Sequence, residues 1–218
     1  VDAYDVSEEA RQKAAALIQN SIEKGIRRGK VSGEPSEHLA RIVWHNDLRP
    51  AVVDADFVVE AVPEQEELKL RMMAELDQQT RAGVILGSNT SSISITKIAA
   101  ATRRPDRVIG MHFFNPVPVM APVEIVRAEQ TSAETIDETR RLADQLGKQA
   151  FVVADTPGFA VNRILMPLIN EAIFALQEGV ADAATIDSLM KLGCNQPMGP
   201  LELADFVGLD VCLSILQV

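Results

Sequence analysis

Phe57-Val58-Val59-Glu60-Ala61-Val62, then Glu64 through Thr80, then Val84-Ile85-Leu86-Gly87 are the three pieces that decide the fold. The first is a short apolar run and reads as a buried strand. The second carries Leu68, Met72, Met73 and Leu76 and predicts a helix over about residues 64–80. The third is again a strand. A strand, a helix and a strand in this order form a βαβ unit, in which the strands run parallel and are covered on both faces.

The same alternation continues outward. Ile93 to Ala101 fits a helix, Arg107 to Phe113 a strand and Val123 to Arg127 a strand. Ser132 to Leu146 fits a helix and Phe151 to Ala154 a final strand. Upstream, Val1 to Val6 reads as the end of a strand. Ala10, Ala14, Leu17, Ile18 and Ile22 recur at helical spacing, so a helix is expected from Ser7 to about Arg28. Ser7 is its N-cap, and Glu8 and Glu9 occupy the first turn. The expected architecture is α/β, Rossmann-like, with a mainly parallel doubly wound sheet.

After Asp155 the pattern turns wholly helical, starting at Thr156-Pro157-Gly158 with Pro157 in the favoured first helical position. Two domains are therefore expected, 1–156 and 157–218, the second all-helical. Its first helix carries Ile164, Leu165, Leu168, Ile169, Ala172, Ile173 and Leu176, with a kink expected at Pro167. Apolar residues occupy nearly all its sides, so it should be buried among neighbours or against a second subunit.

Composition bounds the partners. The 218 residues are 47% hydrophobic, which supports a sizeable core and argues against disorder. Aromatic residues make up 4%, leaving few rings to stack on single-stranded nucleic acid. A formal net charge of −10 argues against nucleic acid or an anionic membrane surface as partner. No apolar run approaches the roughly 20 residues of a membrane span, and no signal peptide is evident. Cys194 and Cys212 form no CxxC pair; they read as reduced thiols, a cytoplasmic location fits, and no metal site is expected.

In Val108-Ile109-Gly110-Met111-His112-Phe113-Phe114-Asn115 an imidazole ends an apolar strand, before the turn signal Asn115-Pro116. Ligands of open α/β sheets bind beyond the carboxyl ends of strands. A histidine titrates near neutrality and can take and return a proton. Taken alone, such a histidine is more often a hydrogen-bonded core group. Glu124 changes the balance, because Val123-Glu124-Ile125-Val126 sets a carboxylate within an apolar strand, where a charge needs a partner. The segment Pro116 to Pro122 is long enough to return this strand beside the first, which makes His112 the natural partner. The alternative is an exposed edge-strand glutamate.

Other groups stay open. Ser88-Asn89-Thr90-Ser91-Ser92 follows a strand and precedes a helix, as a polar ligand cluster or as an N-cap cluster. Asn162, in Phe159-Ala160-Val161-Asn162-Arg163-Ile164-Leu165, needs a partner that is either substrate or backbone. Asp5 stands where a dinucleotide fold places the acid that binds the adenosine ribose and favours NAD, although any helix start could use it. The GxGxxG that would accompany it does not occur in the sequence. Lys24, Arg27, Arg28 and Lys30 either meet phosphates or complement a helix C-terminus.

The stretch His112-Phe113-Phe114-Asn115-Pro116-Val117-Pro118-Val119-Met120 resembles a motif of the 3-hydroxyacyl-CoA dehydrogenases, including the 3-hydroxybutyryl-CoA enzymes. The resemblance extends to Ser88–Ser92, to Asp155-Thr156-Pro157-Gly158-Phe159-Ala160-Val161-Asn162-Arg163 and to Pro197-Met198-Gly199-Pro200-Leu201-Glu202-Leu203-Ala204-Asp205. These motifs stand in order across essentially the whole chain. The resemblance implies an NAD-dependent oxidoreductase that interconverts 3-hydroxyacyl-CoA and 3-ketoacyl-CoA in fatty-acid or butanoate metabolism. It implies His112 as general base and acid, with Glu124 as its orienting carboxylate. Ser91 and Asn162 would bond the reacting oxygen and neighbouring substrate groups. Asp5, Glu64, Lys69, Ser91 and Asn115 would lie near the cofactor, and Ser21, Arg28 and Ser91 near coenzyme A. A homodimer through the helical domain is implied as well.

The family's first strand with its glycine-rich loop, and the end of its helical domain, have no counterpart in these residues. Ala121-Pro122 replaces the Lys-Leu frequent before the glutamate. Two competing expectations remain. One is a structural, crystallin-like or inactive CoA-binding member of the fold, disfavoured by the intact His112, Glu124, Ser91 and Asn162 set. The other is one domain of a multifunctional fatty-acid oxidation enzyme.

Overall fold

The computed structural model describes residues 1–217. β1 (Asp2–Tyr4) leads into α1 (Glu8–Arg27). Ser7 stays extended, and its hydroxyl accepts from Ala10 N at 3.2 Å. Glu8 and Glu9 sit at the positive end of the helix dipole, Lys24 and Arg27 at the negative end. No residue of α1 is buried, and the helix packs mainly on α2 (Pro35–Leu39).

The stretch from 35 to 52 holds three elements that the sequence pattern did not reveal: α2, β2 (Val43–His45) and α3 (Leu48–Val52). Each is three to five residues long, too short to establish a period. β2 pairs in parallel with β1, Asp2 opposite Val43 and Tyr4 opposite His45.

The main sheet contains β3 (Phe57–Glu60), β4 (Ile85–Ser88), β5 (Val108–Phe113), β6 (Pro122–Arg127) and β7 (Gln149–Ala154), in that spatial order. The helices α4 (Glu66–Gln79), α5 (Ile95–Ala100) and α6 (Ala133–Gln145) connect them. All neighbours run parallel except β5 and β6, which the short turn after Phe113 sets antiparallel. The expected Rossmann-like, mainly parallel sheet is therefore present. One expectation needs correction. The run at Phe57 is an edge strand bonded only to β4, and Val59 is 41% exposed, so it is not buried on both sides. A cleft of about 520 Å³, lined by Tyr4, Leu48, Val52, Val58, Met72 and Leu76 among others, lies beside β3 and β1, and among the described residues no strand pairing links the two sheets.

Strand side chains alternate between the two faces. Leu86, Val108 and Val126 pack with Ile95, Ile98 and Ala99 on one face. Ile85, Ile109, Met111, Val123 and Ile125 pack with Ala143 on the other. Each fully buried aliphatic side chain contributes about 1.5–3 kcal/mol by transfer from water. Gly110 has no room for more, since a Cβ there would stand 2.6 Å from Val126 Cβ and 3.0 Å from Ile95.

The helical part comprises α7 (Val161–Gln177), α8 (Ala183–Gly193), α9 (Pro200–Val207) and α10 (Leu209–Leu216). Pro157 does not begin α7, as the sequence suggested. Gly158 (φ 76°) and Phe159 (φ 51°) adopt left-handed backbone, which interrupts the helix, and α7 starts at Val161. Pro167 sits inside α7 without dividing it. Met166, Ile169, Ala204 and Cys212 form the small core of these helices.

Candidate active site

The antiparallel register of β5 and β6 sets His112 directly opposite Glu124 on one face of the sheet. His112 Nδ1 lies 2.7 Å from Glu124 Oε2. The side chains are 8% and 4% exposed. The second carboxylate oxygen, Oε1, accepts from the backbone N–H groups of Ala160 and Val161, both at 3.0 Å. These two donors come from the start of α7, so the helical part supplies two of the carboxylate's three hydrogen-bond partners. Burial pushes the Glu124 pKa up, but the His112 hydrogen bond and the two backbone donors outweigh it and hold the group below the ordinary carboxylate value.

A carboxylate on Nδ1 assigns the ring proton to that nitrogen and leaves the Nε2 lone pair to accept a proton. The rings of Phe114 and Phe159 flank the imidazole at 5.0 and 5.6 Å between centroids. This aromatic enclosure limits water at the ring and fixes its plane.

The polar loop after β4 approaches the same place. Asn89 Oδ1 accepts from Phe113 N at 3.1 Å, next to His112 in the chain. Ser91 O accepts from Asn162 Nδ2 at 3.4 Å, which joins the loop to α7 just beyond the amides that hold Glu124. Ser91, Asn162, His112 and Glu124 thus belong to one connected region. Asn115 is exposed, and the ordering contact to the strand end comes from Asn89. That contribution was hidden in a motif rich in polar residues.

Glu64 lies at the edge of this region, half exposed. Its Oε1 accepts from Thr90 Oγ1, from Ser91 N at 2.9 Å, and from Ser92 N and Oγ at 3.0 Å. Lys69 faces inward beside Glu64. It is 1% exposed and donates to Glu60 Oε1 and Val62 O, each at 2.9 Å. Its ammonium lies among oxygens of the chain, with Glu64 Oε2 at 3.4 Å.

Asp5 is exposed just beyond β1, and its Oδ1 accepts from Ser7 N at 2.8 Å, so it serves the helix start. Ser21 and Arg28 are seven residues apart and share one side of α1, about 10 Å apart along the axis. α1 rests chiefly on α2, and no hydrogen bond of the described residues joins Ser21 or Arg28 to His112, Glu124, Ser91 or Asn162. The cleft between the sheets is bordered by Glu60, which is committed to Lys69 and Ser88, and by Asp2, Tyr4, Asp54 and Asp56.

Residues 1–156 match the NAD binding domain of 3-hydroxyacyl-CoA dehydrogenase, and residues 158–218 match the C-terminal domain of the same enzyme. The chain belongs to the 3-hydroxyacyl-CoA dehydrogenase family. Within that family it is 48% identical to the "Probable 3-hydroxybutyryl-CoA dehydrogenase" of Bacillus subtilis, over 99% of this chain and 75% of that one. It is 46% identical to the 3-hydroxybutyryl-CoA dehydrogenase of Bradyrhizobium diazoefficiens, over 98% of this chain and 73% of that one. The crystal structure of (S)-3-hydroxybutyryl-CoA dehydrogenase from Ralstonia eutropha superposes with a TM-score of 0.93 at 47% identity, covering 100% of this chain and 77% of that one.

In this 3-hydroxyacyl-CoA dehydrogenase family member, the NAD binding domain carries polar groups at the carboxyl ends of its strands. The carboxyl ends of parallel β3 and β4 lead to Glu64, Asn89 and Ser91, and Asp5 follows β1. These carboxylate, amide and hydroxyl groups suit a ribose diol and a carboxamide. No GxGxxG among these residues receives a pyrophosphate.

Proposed function

We propose that the chain interconverts 3-hydroxyacyl-CoA and 3-ketoacyl-CoA thioesters, with NAD as hydride carrier, in fatty-acid or butanoate metabolism. The observation that carries this reading is the His112–Glu124 pair, buried, hydrogen-bonded at 2.7 Å and fastened at its far oxygen by two backbone amides. NAD supplies the hydride chemistry at the C3 carbon when bound. His112 Nε2 takes the proton of the C3 hydroxyl, and the ring becomes an imidazolium. Glu124, already ionised, stabilises that charge without moving. In the reverse direction the imidazolium returns the proton to the ketone oxygen.

Ser91 and Asn162 orient the reacting oxygen and the neighbouring thioester, supported by their contact across the two parts of the chain. Asp5, Glu64 and Asn115 line the cofactor side; Lys69 belongs to that side through Glu64 rather than by direct contact. Ser21 and Arg28 receive coenzyme A on one side of α1, and the nearby Lys24, Arg27 and Lys30 add positive charge for its phosphates in an otherwise acidic chain.

The chain divides functionally at 156/157, and its helical part pairs with a second copy. Exposed apolar residues there, Leu192 at 86% and Phe206 at 73%, support that pairing. The unpaired thiols of Cys194 and Cys212 support a cytoplasmic location.

A spectrophotometric assay of NADH oxidation with acetoacetyl-CoA tests the reaction. Turnover is expected with the native chain, and His112→Ala should lower kcat by about 10²–10⁴ with unchanged circular dichroism. Turnover at the native rate by that variant would remove His112 from the reaction.

A further inference from the structure

Lys69 is a buried ammonium that the proposed proton transfer does not use. It lies in the second turn of α4, a position where a lysine is normally solvated, yet it is 1% exposed. Burying a charge is costly without partners, and here the partners are specific. Nζ donates to Glu60 Oε1 at 2.9 Å and to Val62 O at 2.9 Å, and stands 3.4 Å from Glu64 Oε2. Glu60 is fully occupied in turn. Its Oε1 also accepts from Val62 N at 2.6 Å, and its Oε2 accepts from Ser88 Oγ at 2.7 Å.

The contacts continue from this cluster to the imidazole. Glu64 turns one oxygen to Lys69 and the other to the N–H and O–H groups of residues 90–92. Ser91 then accepts from Asn162 at 3.4 Å. Asn162 follows Ala160 and Val161, whose amides hold Glu124, and Glu124 holds His112. A continuous polar path therefore runs from the end of β3, under the loop after β4, to the start of α7 and the catalytic pair.

We infer that Lys69 is a positioning residue: by holding Glu64 between itself and the 90–92 turn, it sets where Ser91 stands relative to Asn162 and His112. Glu64 is half exposed and would otherwise swing into water, and its four donors at Thr90, Ser91 and Ser92 would lose a common acceptor. Glu60 anchors the lysine from below and so fixes the height of the whole assembly on β3 and β4. The kinetic consequence rests on the reaction proposed above, whereas the structural consequence does not.

Amide hydrogen exchange and acetoacetyl-CoA reduction, measured on the same variants, test this. In Lys69→Met the amides of Ser91 and Ser92 should exchange at least about tenfold faster, while those of Ile109 and Met111 in β5 hold their native rates. Glu64→Ala should give the same local change, and being half exposed it tolerates truncation. In both, kcat should fall by more than KM changes. The double variant Lys69→Met with Glu60→Gln removes the stranded buried carboxylate. It should regain native Tm yet keep fast exchange at Ser91 and low kcat. Equal acceleration throughout the sheet, or recovery of native kcat in the double variant, would show that the lysine only neutralises Glu60 and would overturn the inference. A native chain that does not reduce acetoacetyl-CoA would sink the proposed reaction, and the exchange rates would still decide the role of Lys69.

Discussion

Glu124 has four neighbours to satisfy with two oxygens and one charge: an imidazole, two backbone amides and an apolar strand around it. Its folded pKa lies below the ordinary 4.5, so the folded state binds the proton less readily than the unfolded chain does. The stability this group contributes is complete above that ordinary value and is lost as pH falls through the lower, folded value. Glu124→Gln removes that dependence while keeping the shape. The variant should show a shallower decline of Tm between about pH 5 and pH 3 than the native chain. An identical decline would mean that the carboxylate adds nothing to acid stability. At pH 7 the same variant leaves the imidazolium without its counter-charge, so kcat should fall even where the fold survives.

At the scale of elements, the turn from β7 to α7 decides whether those two amides meet the carboxylate. Gly158 has φ 76°, and a Cβ there would lie 2.8 Å from Arg163 N. Gly158→Ala therefore meets both a left-handed backbone and a backbone contact, at a cost of about 1–3 kcal/mol. Its Tm should drop and its kcat should fall, because Ala160 and Val161 move with the turn; a variant with native Tm would mean that the turn relaxes freely. The alternation of strands and helices from residue 57 onward was legible in the sequence because each segment is long enough to show its period. The His112–Glu124 pair was legible too, since a carboxylate in an apolar strand demands a partner and the segment from Pro116 to Pro122 is long enough to return that strand beside the first. The amides of residues 160 and 161 were not, because a backbone N–H leaves no mark in the choice of side chain. Nor was the burial of Lys69, since a helical lysine reads as solvated unless its surroundings in space are known. The strand at residue 43 escaped notice for want of length.

For the molecule as a whole, the helices from 161 to 216 leave several large apolar side chains uncovered beside a small core. Ile164, Leu192 and Phe206 are all exposed. If that surface meets a second copy, Phe206→Glu should shift sedimentation from dimer toward monomer and lower Tm in a concentration-dependent way. A native chain that sediments as a monomer at every concentration would refute the pairing.

The cleft between β1 and β3 bears on how the chain comes apart. No strand-to-strand hydrogen bond crosses it among the described residues; the first 56 residues meet the remainder through Leu48, Ala51 and Val52 of α3, which share a core with Met73 and Leu76 of α4, and through the Arg81 guanidinium, which donates to Asp54 O, Ala55 O and Asp56 Oδ1. Detaching that opening segment breaks side-chain contacts and leaves the five-stranded ladder whole. Substitutions at Leu48 or Val52 would accordingly loosen that contact without touching the ladder that joins the imidazole to its carboxylate.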